Sequence, residues 1–301
     1  MKQTETIAFI GLGVMGGPMT GHLARAGFNV RAFNRSPDRA SKWRDVWAGE
    51  GLDIALHETA AEAVQTANIV FTCVGRDEDV DAIVRGADGV FEGIGDGAML
   101  VDHTTTSAAL ARDLGCECAD LGIDWLDAPV SGGQAGAENG QLAVMCGGTD
   151  VAMARARPVM DCYAKAITHV GPAGAGQTAK MANQMCIAGV LGGLAEAVRL
   201  AQGSGLDLGK TYEAISGGAA QSWQMDNRWA SMTADDFDFG FAIDWMRKDL
   251  GYALDEAKRL GLSSPVTALV DQFYADVQAA GGNRYDTSAL ITRLAKSTIQ
   301  D

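Results

Sequence analysis

The sequence predicts an α/β fold: an N-terminal Rossmann-type doubly wound sheet followed by an all-helical C-terminal domain. Three observations carry that expectation. The first half alternates short β-branched runs with helical patterns, which implies a parallel sheet with helices on both faces. A glycine triplet with the spacing of a phosphate-binding turn directly follows the first of those runs. Beyond Gly171–Pro172 strand-like runs become scarce and helical ones dominate. A chain of 301 residues suits two domains, 1–170 and 171–301, each long enough for its own core.

The elements follow in order. Strands are expected over Thr6–Ile10 and Asn29–Phe33. Between them a helix opens at Gly16, where Met19, Leu23 and Ala26 recur at helical spacing, and Gly27 stops it. Further strands are expected over Asn68–Cys73, Ala98–Val101, Trp125–Asp127 and Leu142–Met145, with helical patterns between most of them. The second half reads as helices over Ala175–Gln202, Asp207–Ile215, Phe241–Arg259, Pro265–Ala279 and Thr287–Thr298. The first of these is long and carries Gly189, Gly192 and Gly193, where another helix can approach closely. Its most apolar part, Cys186–Val198, is shorter than a membrane span and holds Glu196.

Composition narrows the function classes. The net charge is −14, with 38 acidic side chains against 24 basic ones, which argues against nucleic acid or an anionic membrane as a partner. The six cysteines make no CxxC pair and no zinc-type spacing with the four histidines, so no metal site is expected. They read as reduced thiols of a cytoplasmic protein, and the N-terminus lacks the apolar core of a signal peptide. Glycine numbers 38, against roughly 21 at an average share of ~7%, and that excess needs locations.

The strongest local signal is Gly11-Leu12-Gly13-Val14-Met15-Gly16, after the strand TIAFI and opening a helix. The first glycine makes the tight turn and the second lets backbone approach a pyrophosphate. The third allows close helix–strand packing, while the helix N-terminus offers N–H donors. Cofactor choice falls to the end of the second strand, where NAD-preferring folds place a carboxylate for the ribose hydroxyls. Here the segment reads Asn34-Arg35-Ser36, which would meet a 2′-phosphate with an amide, a guanidinium and a hydroxyl. NADP(H) is therefore favoured, with NAD(H) as the alternative.

Four ordered segments resemble the β-hydroxyacid dehydrogenase family, which includes 3-hydroxyisobutyrate dehydrogenase and tartronate semialdehyde reductase. Phe9–Met19 resembles its N-terminal signature. Asp127-Ala-Pro-Val-Ser131-Gly132-Gly133 resembles its substrate-carboxylate segment, and Gly174-Ala-Gly176-Gln-Thr-Ala-Lys180-Met-Ala-Asn183-Gln184 the segment with its catalytic lysine. Lys248-Asp249-Leu250 resembles the helical-domain motif that reaches the cofactor. The resemblance implies hydride transfer between a nicotinamide and a short 3-hydroxy acid or its semialdehyde. It also implies a helical domain like that of 6-phosphogluconate dehydrogenase and a homodimer or homotetramer.

Such chemistry needs one group that takes the hydroxyl proton in oxidation and returns it in reduction. By resemblance that group is Lys180, whose ammonium form burial and the nearby helix N-terminus would disfavour. Ser131, Gly132 and Gly133 offer a hydroxyl and open backbone N–H groups to a small carboxylate substrate. Gln184 stands where the family usually has a substrate-binding Asn, one helical turn after the lysine; it reaches about a methylene further. Asn183 points roughly 100° away around the helix. Val74, Gly75, Thr105 and Lys248 are further cofactor contacts by resemblance. His103 reads as structural, and Trp223 as either pocket wall or core. An imine reductase-like enzyme and a non-catalytic cofactor-binding module are the alternatives; Lys180 counts against both.

Overall fold

The computed structural model describes residues 5–295. Strand β1 (Thr6–Ile10) is apolar in both directions, and Ile7, Ala8, Phe9 and Ile10 are all buried, as a strand between two helical layers requires. The same doubly buried pattern holds in β4 (Ile69–Thr72) and β5 (Met99–Asp102). The other strands are β2 (Asn29–Phe33), β3 (Ile54–Leu56), β6 (Asp124–Asp127), β7 (Val130–Ser131), β8 (Leu142–Gly148) and β9 (Ala164–Gly171).

The sheet order is β3-β2-β1-β4-β5-β6-β8-β7, with β9 beside β8. Strands β3 through β6 along that path are parallel, whereas β8 runs antiparallel to β6 and β7. The order reverses at β1, with β2 on one side and β4 on the other, which is the switch point where open α/β sheets bind ligands. One apolar layer packs Phe9, Met19, Leu23, Trp47, Phe71 and Tyr163 on one face. The opposite layer gathers Ala8, Ile10, Val70, Val80, Leu100 and Trp125.

The helices of this region are α1 (Gly16–Arg25), α2 (Pro37–Gly49), α3 (Ala60–Val64), α4 (Asp77–Arg85), α5 (Val90–Gly93), α6 (Ala108–Asp120), α7 (Gly133–Glu138) and α8 (Asp150–Met160). Hydroxyl side chains start three of them: Thr59, Ser107 and Thr149 each accept the N–H three residues on. After them come α9 (Ala175–Gly203), α10 (Leu208–Ser216), α11 (Trp223–Ala234), α12 (Ile243–Arg259) and α13 (Pro265–Ala279). A 3-10 turn over Thr287–Arg293 follows.

Several expectations need correcting. The sheet is mixed rather than wholly parallel, and β3, β7, β9 and α11 were not foreseen. Strands of two or three residues give no periodicity. β9 is a largely exposed edge strand with Lys165 and His169 along it, so no apolar run marks it. The helix expected over Thr287–Thr298 is a 3-10 turn as far as Arg293, and its last expected residues lie outside the described ones.

The chain divides into two units between Lys180 and Met181, later than the expected boundary at residue 170. The reason is local: the first turns of α9 are hydrogen-bonded to the sheet of the first unit, through Asp127 and the loop after β5. The second unit has its own core, in which Ala188, Leu194, Ala195 and Val198 of α9 meet Met225, Trp229, Met246, Leu250 and Tyr274. By length and composition alone α9 is apolar enough to cross a membrane, which the shorter stretch Cys186–Val198 did not suggest. That buried stripe is the ordinary signature of a core helix.

Candidate active site

The turn after β1 shows why glycine stands at its three positions. Gly11 has φ +102°, and a Cβ there would sit 2.3 Å from the Cys73 carbonyl oxygen. At Gly16 a Cβ would meet the Gly11 carbonyl at 1.9 Å, so α1 can lie against the turn only without a side chain. Gly13 is different: nothing lies within 4 Å of its Cβ position, so the space beside its backbone is open. Helix α1 also begins without a side-chain cap or an acidic residue in its first turn, so no side chain of its own competes there with an anion. An open cradle at the N-terminus of a helix fits a dinucleotide pyrophosphate.

Two side chains hold that turn in place. Leu12 donates its N–H to Asn34 Oδ1 at 2.9 Å and accepts from Trp43 Nε1 at 3.0 Å. Asn34 also donates through Nδ2 to the Ser36 carbonyl. Both ends of the Asn34 amide thus brace the turn, which leaves one Nδ2 hydrogen for the expected 2′-phosphate. Trp43 was missed altogether; its ring lies where a Cβ on Gly17 would fall. Arg35 remains a surface group, its side chain 81% exposed and paired with Asp79 at 2.8 Å. A pair this exposed contributes little, so the guanidinium is available to a second anion. Ser36 occupies the N-cap position of α2 without a side-chain capping bond.

The strands β1, β2, β4, β5 and β6 run parallel, so their carboxyl ends share one edge of the sheet. Along it, Val74 donates its N–H to Thr104 Oγ1 at 3.0 Å, which ties the exit of β4 to the loop holding Thr105. Asp102 accepts from Thr72 Oγ1 and from the Thr104 N–H beneath that loop. Burial pushes the Asp102 carboxyl up to about 6, with those hydrogen bonds opposing and Asp127 reinforcing the shift. His103 donates from Nδ1 to the Ala128 carbonyl and accepts the Tyr163 hydroxyl at Nε2. Burial lowers it to about 4, so it is a neutral structural imidazole, as its sequence setting suggested.

Next along the edge, β7 ends at Ser131, and Gly132 (φ +136°) and Gly133 (φ +63°) turn the chain into α7. Both dihedrals lie in the region only glycine adopts readily. Lys180 is buried in α9. The N-terminus of that helix is fixed by Asp127, which accepts the Gly174 N–H at 2.7 Å and the Gln177 N–H at 2.9 Å. Burial pushes Asp127 up to about 6 against those bonds. Gly147 and Gly176 make the room: a Cβ on either would come within 3 Å of the Asp127 carboxylate.

In the second unit, Gln184 is buried and its amide is engaged at both ends. Nε2 donates to Asp249 Oδ2 at 2.7 Å, and Oε1 accepts from Asn183 Nδ2 at 2.8 Å. Lys248 lies 3.2 Å from Asp249 Oδ1, with its Nζ over the rings of Trp245 and Tyr252. So the Gln that departs from the family pattern ties α9 to the Lys-Asp motif on α12. Trp223 is not a core residue: it is exposed and stacks with Arg228. Among the described residues no group of three or more His, Cys, Asp and Glu side chains could hold a metal.

The chain matches two family models along most of its length. Residues 6–171 match the NAD-binding domain of 6-phosphogluconate dehydrogenase. Residues 174–294 match a domain described as NAD-binding of NADP-dependent 3-hydroxyisobutyrate dehydrogenase. An uncharacterized oxidoreductase of Shewanella frigidimarina is 54% identical, over 97% of this chain and 98% of the relative. The 2-hydroxy-3-oxopropionate reductase of Escherichia coli is 34% identical, over 96% of each. Among solved structures, a Mycobacterium tuberculosis 3-hydroxyisobutyrate dehydrogenase with L-serine superposes with a TM-score of 0.86 at 35% identity. It covers 96% of this chain and 99% of that one.

Proposed function

Because the chain belongs to the β-hydroxyacid dehydrogenase family, we propose that it interconverts a short 3-hydroxy acid and its semialdehyde, prefers NADP(H), and uses Lys180 as proton donor and acceptor. NAD(P)-dependent hydroxyacid oxidoreduction is the activity of the family; the substrate, the lysine and the cofactor preference are the added claims. The observation that carries the lysine's role is its setting. It is a buried lysine on a helix anchored at the carboxyl edge of the sheet, beside the loop that holds Thr105.

The nicotinamide, when bound, supplies the hydride acceptor or donor. Gly11, Leu12, Gly13, Val14, Met15 and Gly16 would receive its pyrophosphate, with Val74, Gly75, Thr105 and Lys248 as further contacts. Arg35, with Ser36 beside it, would pair with a 2′-phosphate. Ser131, Gly132 and Gly133 would hold the substrate carboxylate; Gln184 and Asn183 are assigned to the substrate by the family resemblance. In oxidation the neutral Lys180 amine takes the hydroxyl proton as the carbon–oxygen double bond forms. In reduction the Lys180 ammonium returns that proton to the oxygen, so the group ends each turnover ready for the reverse step.

The imine reductase reading is not favoured, since both family models, the Escherichia coli reductase and the Mycobacterium tuberculosis dehydrogenase belong to hydroxyacid chemistry. The test is a panel of 3-hydroxyisobutyrate, tartronate semialdehyde, glyoxylate, succinic semialdehyde, 3-hydroxypropionate and serine, each assayed with both cofactors. Turnover of at least one 3-hydroxy acid or semialdehyde, faster with the phosphorylated cofactor, supports the proposal. Inactivity on all of them in both directions would overturn it.

A further inference from the structure

We infer that Gln177 is a positioning residue, which locks the cofactor loop after β5 to the first turn of the helix bearing Lys180, so that one amide sets the placement of both. The inference rests on the reading of Lys180 above and adds to it a residue that no motif assigned a role. Gln177 is completely buried, and its main-chain N–H and both ends of its side-chain amide are committed. Its main-chain N–H goes to Asp127 Oδ2 at 2.9 Å. Its Oε1 accepts the Thr106 N–H at 3.0 Å, and its Nε2 donates to the Thr104 carbonyl at 2.7 Å.

The side-chain amide therefore grips the backbone on either side of Thr105, as a neighbouring strand would. The far side of that loop is held independently by the Val74 N–H on Thr104 Oγ1 and by Asp102 on the Thr104 N–H. Gln177 and Lys180 are three residues apart on one helix, so their side chains leave the same face about 60° apart. The face that clamps the loop is thus the face that carries the lysine. Asp127 completes the device by fixing the helix start through Gly174 and Gln177, so the helix can neither slide nor rotate without breaking the clamp. A purely structural glutamine would need only one of these attachments, and none need flank the residue assigned to the cofactor.

The test uses Gln177→Met, which keeps length and volume but removes both side-chain bonds. NADPH and NADH binding are read by nicotinamide fluorescence, and the Lys180 amine by competitive acetic anhydride labelling with peptide mass spectrometry. The expected result is about tenfold weaker cofactor binding, the scale of one or two lost buried hydrogen bonds, together with a changed labelling rate at Lys180 but not at Lys42 or Lys165. Gln177→Glu, which keeps the acceptor for the Thr106 N–H, should weaken cofactor binding too and carries the test if the Met variant does not fold. Cofactor affinity and Lys180 labelling both at wild-type level would overturn the inference, whatever happens to thermal stability; so would a change in only one of them. Should Lys180→Ala retain turnover, the catalytic reading falls, while the effect of Gln177→Met on cofactor affinity still reports the clamp.

Discussion

Arg35 carries the proposed cofactor preference as a single side chain, and its environment says how. Its guanidinium is exposed and shared with Asp79, so a 2′-phosphate would compete with a carboxylate rather than fill an empty site. Arg35→Ala should weaken NADPH binding by about tenfold and leave NADH binding within about twofold. Asp79→Asn should act the other way, tightening NADPH a few-fold by removing the competitor. Fluorescence titration with both cofactors checks the pair, and an unchanged NADPH/NADH ratio in Arg35→Ala would remove the argument. Much at this scale was legible in the sequence. The glycines of the phosphate turn followed from local spacing, the proposed role of Lys180 came from the family resemblance, and a lone His103 read as structural. Asn34, Trp43 and Gln177 were not legible, because their bonds run to Leu12, Thr104 and Thr106 across long stretches of chain. No local pattern encodes such a partner.

At the scale of elements, the carboxyl ends of β5 and β6 hold two buried carboxylates side by side, Asp102 and Asp127, paired in register. Each is pushed up to about 6, from an ordinary 3.8, chiefly by burial. A folded value above the unfolded one means the native state holds the proton longer. The associated stability is complete below 3.8 and is lost as the pH rises through about 6. Asp102→Asn keeps the oxygen that accepts from Thr72 and Thr104, but removes that titration and the like charge beside Asp127. Relative to the wild type, its urea midpoint should fall less between about pH 5 and about pH 7. Parallel curves for the two proteins would contradict the assignment. The elements themselves were readable where burial is symmetric, as in β1, β4 and β5, or where helical spacing is long, as in α9 and α13. Short or edge strands escaped for want of an apolar pattern. In α11 the spacing was present, with Met225, Trp229 and Met232 on the buried face, but polar residues between them masked it.

Across the whole molecule, the glycine excess has found its places. Gly11 and Gly16 admit the phosphate turn, Gly132 and Gly133 turn the chain at the proposed carboxylate site, and Gly147 and Gly176 make room for the Asp127 anchor. Under the proposal, the Ser131–Gly133 turn would offer local donors to an anionic substrate despite the net charge of −14. The chain divides at the lysine itself, since Lys180 ends the first unit while its helix runs on into the second. That residue is the proposed proton carrier. The most direct test is stopped-flow hydride transfer in Lys180→Ala with cofactor already bound, using the best substrate of the panel. Cofactor affinity should stay within about twofold of wild type, and the hydride-transfer rate should fall by about 10²–10⁴-fold. Transfer at a rate near that of the wild type would contradict the proposed role of Lys180.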